Sequence, residues 1–258
     1  IGLSSVNQLL WTNGTSNADG TAATAGTTAY VWDLDSSWDF DSATSATIGY
    51  DTLGLETTFT YDLNADGRIG QYYNTFEANG NAGLYIAGVA GPSGNQYFAS
   101  TPLGVTPYKG ITRDGQDIST TTYAGFTAVG AEAVSIGLSS VNQLLWTNGT
   151  SNANGTAATA GTTAFVWSLT SEWDYSSATS ATIGYDTLGL ETTFSYDLND
   201  DGYIGQYYTT FEANGNAGLY IAGVAGPSGN QYFASALPGT PLYKGITRGG
   251  QDITTTTY

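Results

Sequence analysis

The sequence predicts a mainly β protein, of the β-rich α+β class, in which a unit of 135 residues occurs twice and carries one short helix. Three observations lead to this prediction. Almost every stretch returns 135 residues later. Short apolar and aromatic runs alternate with Gly, Pro, Asn and Asp turn signals, which is typical of strands joined by tight turns. Only one run in each repeat is rich in helix-forming residues.

The internal repeat is the strongest signal. Residues 1–123 and 136–258 are identical at 104 of 123 positions. The three tryptophans of the first repeat also return at the same offset: Trp11, Trp32 and Trp38 as Trp146, Trp167 and Trp173. Two such similar repeats are one fold made twice, which favours an array that extends or adheres over an enzyme.

Turn residues divide each repeat into strands. Two hairpins are expected around the turns at 91–95 and 114–115, and two further strands at 6–11 and 27–34. A short helix is expected within 50–61, where Leu53, Leu55 and Glu56 favour a helix although the intervening threonines do not.

Composition excludes several classes of function. The 258 residues include no Cys, His or Met, and 22 acids against five Lys plus Arg give a formal charge of −17. Without His and Cys, sites for zinc, copper or haem are disfavoured. The negative charge repels nucleic acid and anionic membranes, and no apolar run is long enough to insert into a bilayer. We therefore expect a secreted, extracellular or cell-surface protein.

The clearest chemistry lies in the loop at 62–70 and its copy at 197–205. Oxygen side chains occupy positions one, three and five, glycine occupies position six, and position seven offers its carbonyl, which is the pattern of a calcium loop. The predicted ligands are Asp62, Asn64, Asp66 and the carbonyl of Arg68, and in the second repeat Asp197, Asn199, Asp201 and the carbonyl of Tyr203. Ile69, at position eight, is expected to pack the loop down.

The loop departs from an EF-hand at position twelve, where both repeats have tyrosine in place of a bidentate glutamate. Another acid must fold in, or water fills the gap; Glu56 (Glu191 in the second repeat), Asp51 and Glu77 are the nearest acids. The alternative is an Asx-rich turn that binds no ion. We expect Ca²⁺, with Glu56 and Glu191 among the candidate ligands.

Four acids surround Trp38 in the first repeat, at positions 33, 35, 39 and 41. In the second repeat the matching residues are Ser168, Thr170, Asp174 and Ser176. A metal site essential to the module would not be lost from its copy, so a solvated strand face is expected.

The aromatic residues suggest a second kind of site, because exposed tryptophan rings stack on sugars. Trp11 and Trp32 follow strand patterns and are expected in the core. Trp38 and Trp173 remain as candidate glycan-binding residues.

Catalysis has little support in the sequence. Glu56 with Glu77 or Glu132 is a conceivable carboxylate pair for glycoside hydrolysis, but no spacing singles out a pair. No catalytic residue is predicted, and we expect the protein not to be an enzyme.

These motifs together resemble a known family. The segments 142–146, 165–173 and 188–194, followed by the loop at 197–205, are similar to the tryptophan-rich C-terminal domain of cyanobacterial and other bacterial secreted proteins. Residues 83–118 resemble the first half of that module. The resemblance implies an extracellular, multi-copy, often calcium-associated module without an established activity. The loss of acids around Trp173 departs from the family pattern.

This register predicts the domain organisation. Residues 71–205 would form one complete module, 1–70 the second half of another and 206–258 the first half of a third; the alternative is two repeats, 1–135 and 136–258. We expect a processed product or a piece of a longer array.

The predicted function is that of a calcium-stabilised structural or adhesive protein in a surface fibre, filament, surface layer or biofilm matrix. Its expected partners are copies of itself, joined head to tail, and surface glycans, with no nucleic acid and no membrane insertion. The alternative is a secreted carbohydrate-binding module or a fragment of a glycan-acting enzyme.

Overall fold

A computed structural model describes residues 7–16, 22–136, 139–151, 157–159, 161–236 and 243–257. Val6, with which the first predicted strand begins, lies outside the described residues, as do residues 1–5, which open the repeat.

The first repeat consists mainly of short strands. Its described strands are β1 (Asn7–Thr12), β2 (Thr15–Ser16), β3 (Ala22–Thr24), β4 (Thr28–Leu34), β5 (Phe40–Thr47), β6 (Tyr73–Glu77), β7 (Gly83–Ala87), β8 (Tyr97–Ser100), β9 (Lys109–Gly110), β10 (Thr112–Arg113), β11 (Gln116–Asp117) and β12 (Thr127–Ile136). A 3₁₀ turn (Tyr50–Thr52) leads into the helix α1 (Leu53–Phe59).

The described elements of the second repeat correspond to β1–β11 and α1 in the same order. They are β13 (Ser139–Thr147), β14 (Thr150–Ser151), β15 (Ala157–Thr159), β16 (Thr163–Leu169), β17 (Tyr175–Thr182), a 3₁₀ turn (Tyr185–Thr187), α2 (Leu188–Phe194), β18 (Tyr208–Glu212), β19 (Gly218–Ala222), β20 (Tyr232–Ser235), β21 (Lys244–Gly245), β22 (Thr247–Arg248) and β23 (Gln251–Asp252). The mainly β class with one short helix per repeat is confirmed, as are the predicted hairpins.

Two sheets carry the tryptophans, and we call them the first and second tryptophan sheets. The first has the strand order β1-β4-β5, and the second has the order β12-β13-β16-β17. All neighbours are antiparallel, and the register places Trp11 opposite Tyr30 and Trp146 opposite Phe165. Two further four-stranded sheets have the orders β6-β7-β8-β9 and β18-β19-β20-β21.

The chain divides into two compact units. The first unit consists of residues 1–74, 85–98 and 118–122, and the second of residues 75–84, 99–117 and 123–258. The module boundaries predicted at residues 70 and 205 remain a prediction.

Each helix is short because a left-handed residue ends it. Thr60, after α1, has φ 51°, and the N–H of Tyr61 bonds back to the carbonyl of Glu56. Ser195 ends α2 in the same way, with φ 50°. This left-handed cap turns the chain directly into the acidic loop. Neither described helix has the length or apolarity to span a membrane.

The core of the second unit lies between the second tryptophan sheet and α2. Its buried cluster consists of Val129, Leu145, Ala164, Val166, Phe194, Tyr196 and Leu198. Here β12 adds a strand to the edge of β13, whereas among the described residues β1 pairs only with β4. The two sheets therefore have nearly the same sequence but different cover.

The predicted core position of Trp11 is wrong, although its copy occupies one. Trp11 is 48% exposed and Trp146 only 2%. The difference comes from residues that pack on Trp146 within the second unit, such as Tyr123, whose ring centroid lies 5.5 Å from the Trp146 ring.

A matched pair of leucines tests this difference. Leu145 is fully buried in the core cluster, whereas its copy Leu10 is only half-buried. Leu145→Ala should lower the free energy of unfolding by about 2–5 kcal/mol, because it leaves a cavity that packed neighbours cannot fill. Leu10→Ala should lower it by clearly less. Urea unfolding followed by circular dichroism measures both, and equal losses would contradict the packing described here.

Candidate functional site

In each acidic loop, side-chain oxygens of the loop accept hydrogen bonds from the loop's own backbone N–H groups. In the first loop, Asp62 accepts bonds from the N–H of Asp66 at Oδ1 (3.2 Å) and of Gly67 at Oδ2 (2.7 Å). Asn64 Oδ1 accepts from the N–H of Asp66 at 3.0 Å, and Asp66 Oδ1 from that of Arg68 at 2.9 Å. Gly67 has φ 84°, a left-handed conformation that glycine adopts without strain. The sequence therefore folds into the tight loop that its spacing predicts.

The second loop repeats this geometry. Asp197 accepts from the N–H groups of Asp201 (3.2 Å) and Gly202 (2.8 Å), and Asn199 Oδ1 accepts from Asp201 at 3.0 Å. Asp201 Oδ1 accepts from the N–H of Tyr203 at 2.9 Å. Two independent copies of one hydrogen-bond pattern show that the loop sequence itself determines it.

A buried glutamate from the helix closes each loop. Glu56 has no exposed surface; its Oε1 accepts from the N–H groups of Leu63 (3.1 Å) and Asn64 (3.2 Å), and its Oε2 from Gly70 (2.9 Å). Glu191 makes the same three kinds of bond in the second repeat. Burial raises the pKa of both carboxyls, and the backbone N–H bonds oppose that rise. The structure thus gives these glutamates a loop-closing role, and their role as direct cation ligands remains a prediction.

The residue that anchors the loop is not the predicted isoleucine. Ile69 is 45% exposed, whereas Leu63, at position two, is 1% exposed. The buried Glu56 bonds to the backbone at Leu63, so this end of the loop points into the core. Hydrophobic character alone does not distinguish the two positions.

The side chain at position seven packs away from the loop oxygens in both repeats. The guanidinium of Arg68 lies 4.3 Å from the ring centroid of Tyr72, and Tyr203 stacks on Tyr207 at 4.2 Å. These contacts fit a position whose contribution to a cation would be its carbonyl.

The donor set of the loops consists of oxygen atoms alone, the set that suits a hard cation. Asp201 Oδ2 is buried and accepts no hydrogen bond, so a buried oxygen of the second loop is available to a cation. Within the described ranges no three His, Cys, Asp or Glu side chains are placed to hold a metal together. Each loop would have to combine two aspartates with an asparagine oxygen and a carbonyl.

Glu77, another acid considered for the loop, lies elsewhere in the second unit. Its carboxylate accepts bonds from the N–H groups of Asn79 and Ala131. Glu132, from β12, accepts from Asn81 at 3.1 Å, while its Oε1 is buried without a hydrogen bond. Burial, with the nearby Glu132 charge as a smaller contribution, raises the pKa of Glu77 to about 7. Burial also raises the pKa of Glu132.

Glu77 and Glu132 are 3% and 4% exposed, so they do not line an open cleft. Gly80 lies directly against the Glu132 carboxylate, where any side chain would overlap it. Through their hydrogen bonds, these two glutamates join the segment at residues 77–81 to strand β12.

The aromatic residues of the second tryptophan sheet form a ladder of rings. Trp146 and Trp167 lie 5.1 Å apart, and Tyr175 lies 4.9 Å from Trp167. Tyr123 packs edge-on against both tryptophans, and the guanidinium of Arg113 lies 4.6 Å from the Tyr175 centroid while it donates to the Tyr123 hydroxyl at 3.0 Å. A cavity of about 290 Å³ remains among these rings.

Residues 109–117 and 123–126 of the second unit, which we call the covering segment, therefore belong to this site, and sequence reasoning missed them. A signal was present: four of the five cations in the chain lie in this segment and its copy, namely Lys109, Arg113, Lys244 and Arg248.

The covering segment also buries one of the two tryptophans predicted to bind glycans. Trp173 is 1% exposed, whereas Trp38 is 65% exposed. The N–H of Thr112 bonds to the Trp173 carbonyl at 3.2 Å, and the Thr112 hydroxyl bonds to Asp174 at 2.7 Å. The predicted role of Trp173 is therefore wrong, since a buried ring cannot stack on a sugar. Trp38 keeps an exposed face.

The acids around Trp38 serve the strand and its turn. Asp35 Oδ1 accepts from the N–H groups of Ser37 (2.8 Å) and Asp39 (3.0 Å), and Thr170 does the same in the second repeat through its hydroxyl. Asp33 bonds to Gln8 and Ser42. Asp35, Asp39 and Asp41 are exposed to solvent.

Fold and site together define a class: a tandem β-rich module with a short acidic loop that a buried helix glutamate closes. Residues 89–205 match the family model of the tryptophan-rich Synechocystis species C-terminal domain. The match ends at the last residue of the second acidic loop and confirms the predicted resemblance. No curated protein and no solved structure matches the chain.

The buried pair Glu77–Glu132 predicts a pH dependence of the second unit. The folded protein holds a proton on Glu77 up to about pH 7, while in the unfolded chain this carboxyl has its ordinary pKa of about 4.5. The free energy of unfolding should therefore fall as pH rises from about 4.5 through 7, by up to about 3 kcal/mol. Denaturant unfolding in chelator at several pH values measures this slope.

Glu77→Gln should flatten that slope, because it removes the titrating group. The matched control is Glu212→Gln, since Glu212 makes the same local bond to Asn214 but is exposed. If both variants keep the wild-type slope, the pair does not control stability.

Proposed function

We propose that this chain is part of an extracellular structural or adhesive array, in which repeated modules, stabilised by calcium, form a surface fibre, filament or surface layer. One observation carries the proposal: the second tryptophan sheet belongs to the second repeat, but β12 and the covering segment that complete it belong to the first. Each repeat thus supplies cover for the next. Such a connection can continue through any number of repeats.

The burial of the connection supports a mechanical role. Pairing between β12 and β13 extends from Thr127 opposite Thr147 to Ile136 opposite Ser139, with one bulge. Trp146 and Trp167 are 2% and 6% exposed beneath the covering segment. Separating two repeats would expose these rings and break a strand ladder, so the joint resists extension.

Calcium is the cation that the loops suit best. The ligands would be Asp62, Asn64, Asp66 and the carbonyl of Arg68 in the first loop and their copies in the second. A bound cation would tie the loop to itself and offset part of the −17 charge. It would also give the buried oxygen of Asp201 a partner. Outside cells, where calcium is abundant, weak sites of this kind are occupied.

Calcium titration tests the loops. Calorimetry should give two ions per chain, one for each loop, with dissociation constants of about 10⁻⁴–10⁻³ M, the range of extracellular modules. At calcium about 100-fold above that constant, each bound ion should raise the free energy of unfolding by about 2.7 kcal/mol. The double variant Asp62→Asn, Asp197→Asn should lose both the binding and the stabilisation.

The control is the double variant Asp186→Asn, Glu212→Gln, which removes two exposed carboxylates outside the loops. Its calcium binding should equal that of the wild type. Equal losses in both double variants would mean that calcium responds to net charge alone, and the loop assignment would fail.

The array itself is tested by electron microscopy of the native protein in millimolar calcium and after chelation. Regular fibres that fray without calcium are the expected result. Isolated particles in both conditions would refute the array.

The cavity among the rings favours a second candidate, a carbohydrate-binding module. Its walls are aromatic, with Arg113 as a polar group at the edge, and such surfaces stack on sugar rings. Saccharide binding to the intact chain that is lost in Tyr123→Ala, together with isolated particles in the microscope, would favour this candidate over the array. The carboxylates nominated for glycoside hydrolysis, Glu56 with Glu77 or Glu132, are all buried rather than set beside a water-filled cleft, which supports a non-catalytic role.

A further inference from the structure

Two exposed surfaces of the chain correspond to the two sides of one interface that is closed within the second unit. On one side, Trp38 and Phe40 are 65% and 59% exposed, whereas their copies Trp173 and Tyr175 are buried and half-buried. On the other side, residues 244–252, the copy of residues 109–117, are more exposed than those residues. Ile111 is fully buried, while its copy Ile246 is only half-buried.

The closed interface shows how the two sides fit. Lys109 Nζ lies 2.6 Å from Glu172 Oε2 and donates to the Ser171 carbonyl at 3.4 Å. Thr112 forms a parallel bridge with Asp174 and bonds to its carboxylate. These contacts place the covering segment across the turn that holds Trp173.

The two exposed surfaces carry the copies of most of the residues that make these contacts. Thr247 and Asp39 correspond to Thr112 and Asp174, and Lys244 corresponds to Lys109. The carbonyl that Lys109 uses has its copy at Ser36. One ion pair is lost, because Ser37 stands where Glu172 does.

Charge compensates for that loss. The first tryptophan sheet carries Asp33, Asp35 and Asp41, where the second has Ser168, Thr170 and Ser176. Residues 244–257 carry Lys244 and Arg248, two of the five cations of the chain. Opposite charges on the two surfaces steer their association and select this orientation.

We propose that residues 244–257 of one chain dock on the Trp38–Phe40 end of the first tryptophan sheet of a second copy. The bridge between Thr247 of one chain and Asp39 of the next sets the register. The inference rests on the proposed array and names its joint. Because the two surfaces differ, the contact is heterologous and each added chain exposes a new docking surface, which gives a filament when no ring closes.

Two substitutions at exposed positions each disrupt one of the two surfaces of the proposed contact. Thr247→Asp puts a carboxylate against Asp39 and should disable only the surface formed by residues 244–257. Asp39→Lys puts a cation near Lys244 and should disable only the surface around Trp38 and Phe40. Sedimentation velocity in calcium should show concentration-dependent association of the wild type and a Kd raised at least about 10-fold in each variant. Salt should weaken the wild-type association, since charges contribute to it.

The mixture of the two variants gives the decisive result. The Thr247→Asp variant keeps a working Trp38–Phe40 surface, and the Asp39→Lys variant keeps a working surface at residues 244–257. Together they should therefore form 1:1 dimers and nothing larger. Trp38 fluorescence should shift to shorter wavelength as the ring is covered, and Trp38→Phe identifies that signal. Circular dichroism and thermal unfolding confirm that each variant is folded, as expected for substitutions at exposed positions.

The outcomes separate this inference from the proposed function. If the variants assemble like the wild type, or their mixture forms long oligomers, the joint is elsewhere while the array stands. If the wild-type chain stays monomeric at every concentration, or a saccharide shifts Trp38 fluorescence without association, the docking inference is wrong. The array is then judged by microscopy of the native protein alone.

Discussion

The structure depends on the burial of one aromatic sheet face by chain from the neighbouring repeat. Trp146 and Trp167 are large rings on a sheet whose other face packs on the core around Leu145. Buried aromatic side chains contribute much of the stability of a small domain. Here the cover comes from Tyr123 and Arg113, before the sheet in the chain. The same position of the repeat is therefore buried in the sheet that this segment covers, as at Trp146, and exposed at Trp11.

A second constraint is the cost of burying carboxyl groups. The chain buries its glutamates in two different arrangements. Glu56 and Glu191 are held by three backbone N–H groups each, which replace the water that a carboxylate loses. Glu77 and Glu132 have fewer hydrogen-bond donors. Burial raises the pKa of all four carboxyls, that of Glu77 to about 7. The first arrangement shapes the acidic loops, and the second attaches the segment before β12 to β12.

Several features were predictable from local sequence. The strands, the hairpins and the helix that precedes the acidic loop follow from turn residues and short-range propensity, and the structure contains them. The loop at 62–70 also follows from its spacing, because side chains bond to backbone two to five residues away. The errors concern burial. Ile69 and Leu63 are both apolar, and only the position of Glu56 decides that Leu63 faces the core.

The sequence by itself determined the repeat, the β-rich class and the acidic loops, because these depend on contacts within a few residues or on identity between the repeats. Only the tertiary structure decided which tryptophans are covered. Trp38 and Trp173 occupy equivalent positions of the repeat, yet one is exposed and the other buried. The physical reason is that burial depends on area removed from water by any part of the chain. The segment that removes it lies about 60 residues from Trp173, a distance over which sequence pattern carries no information.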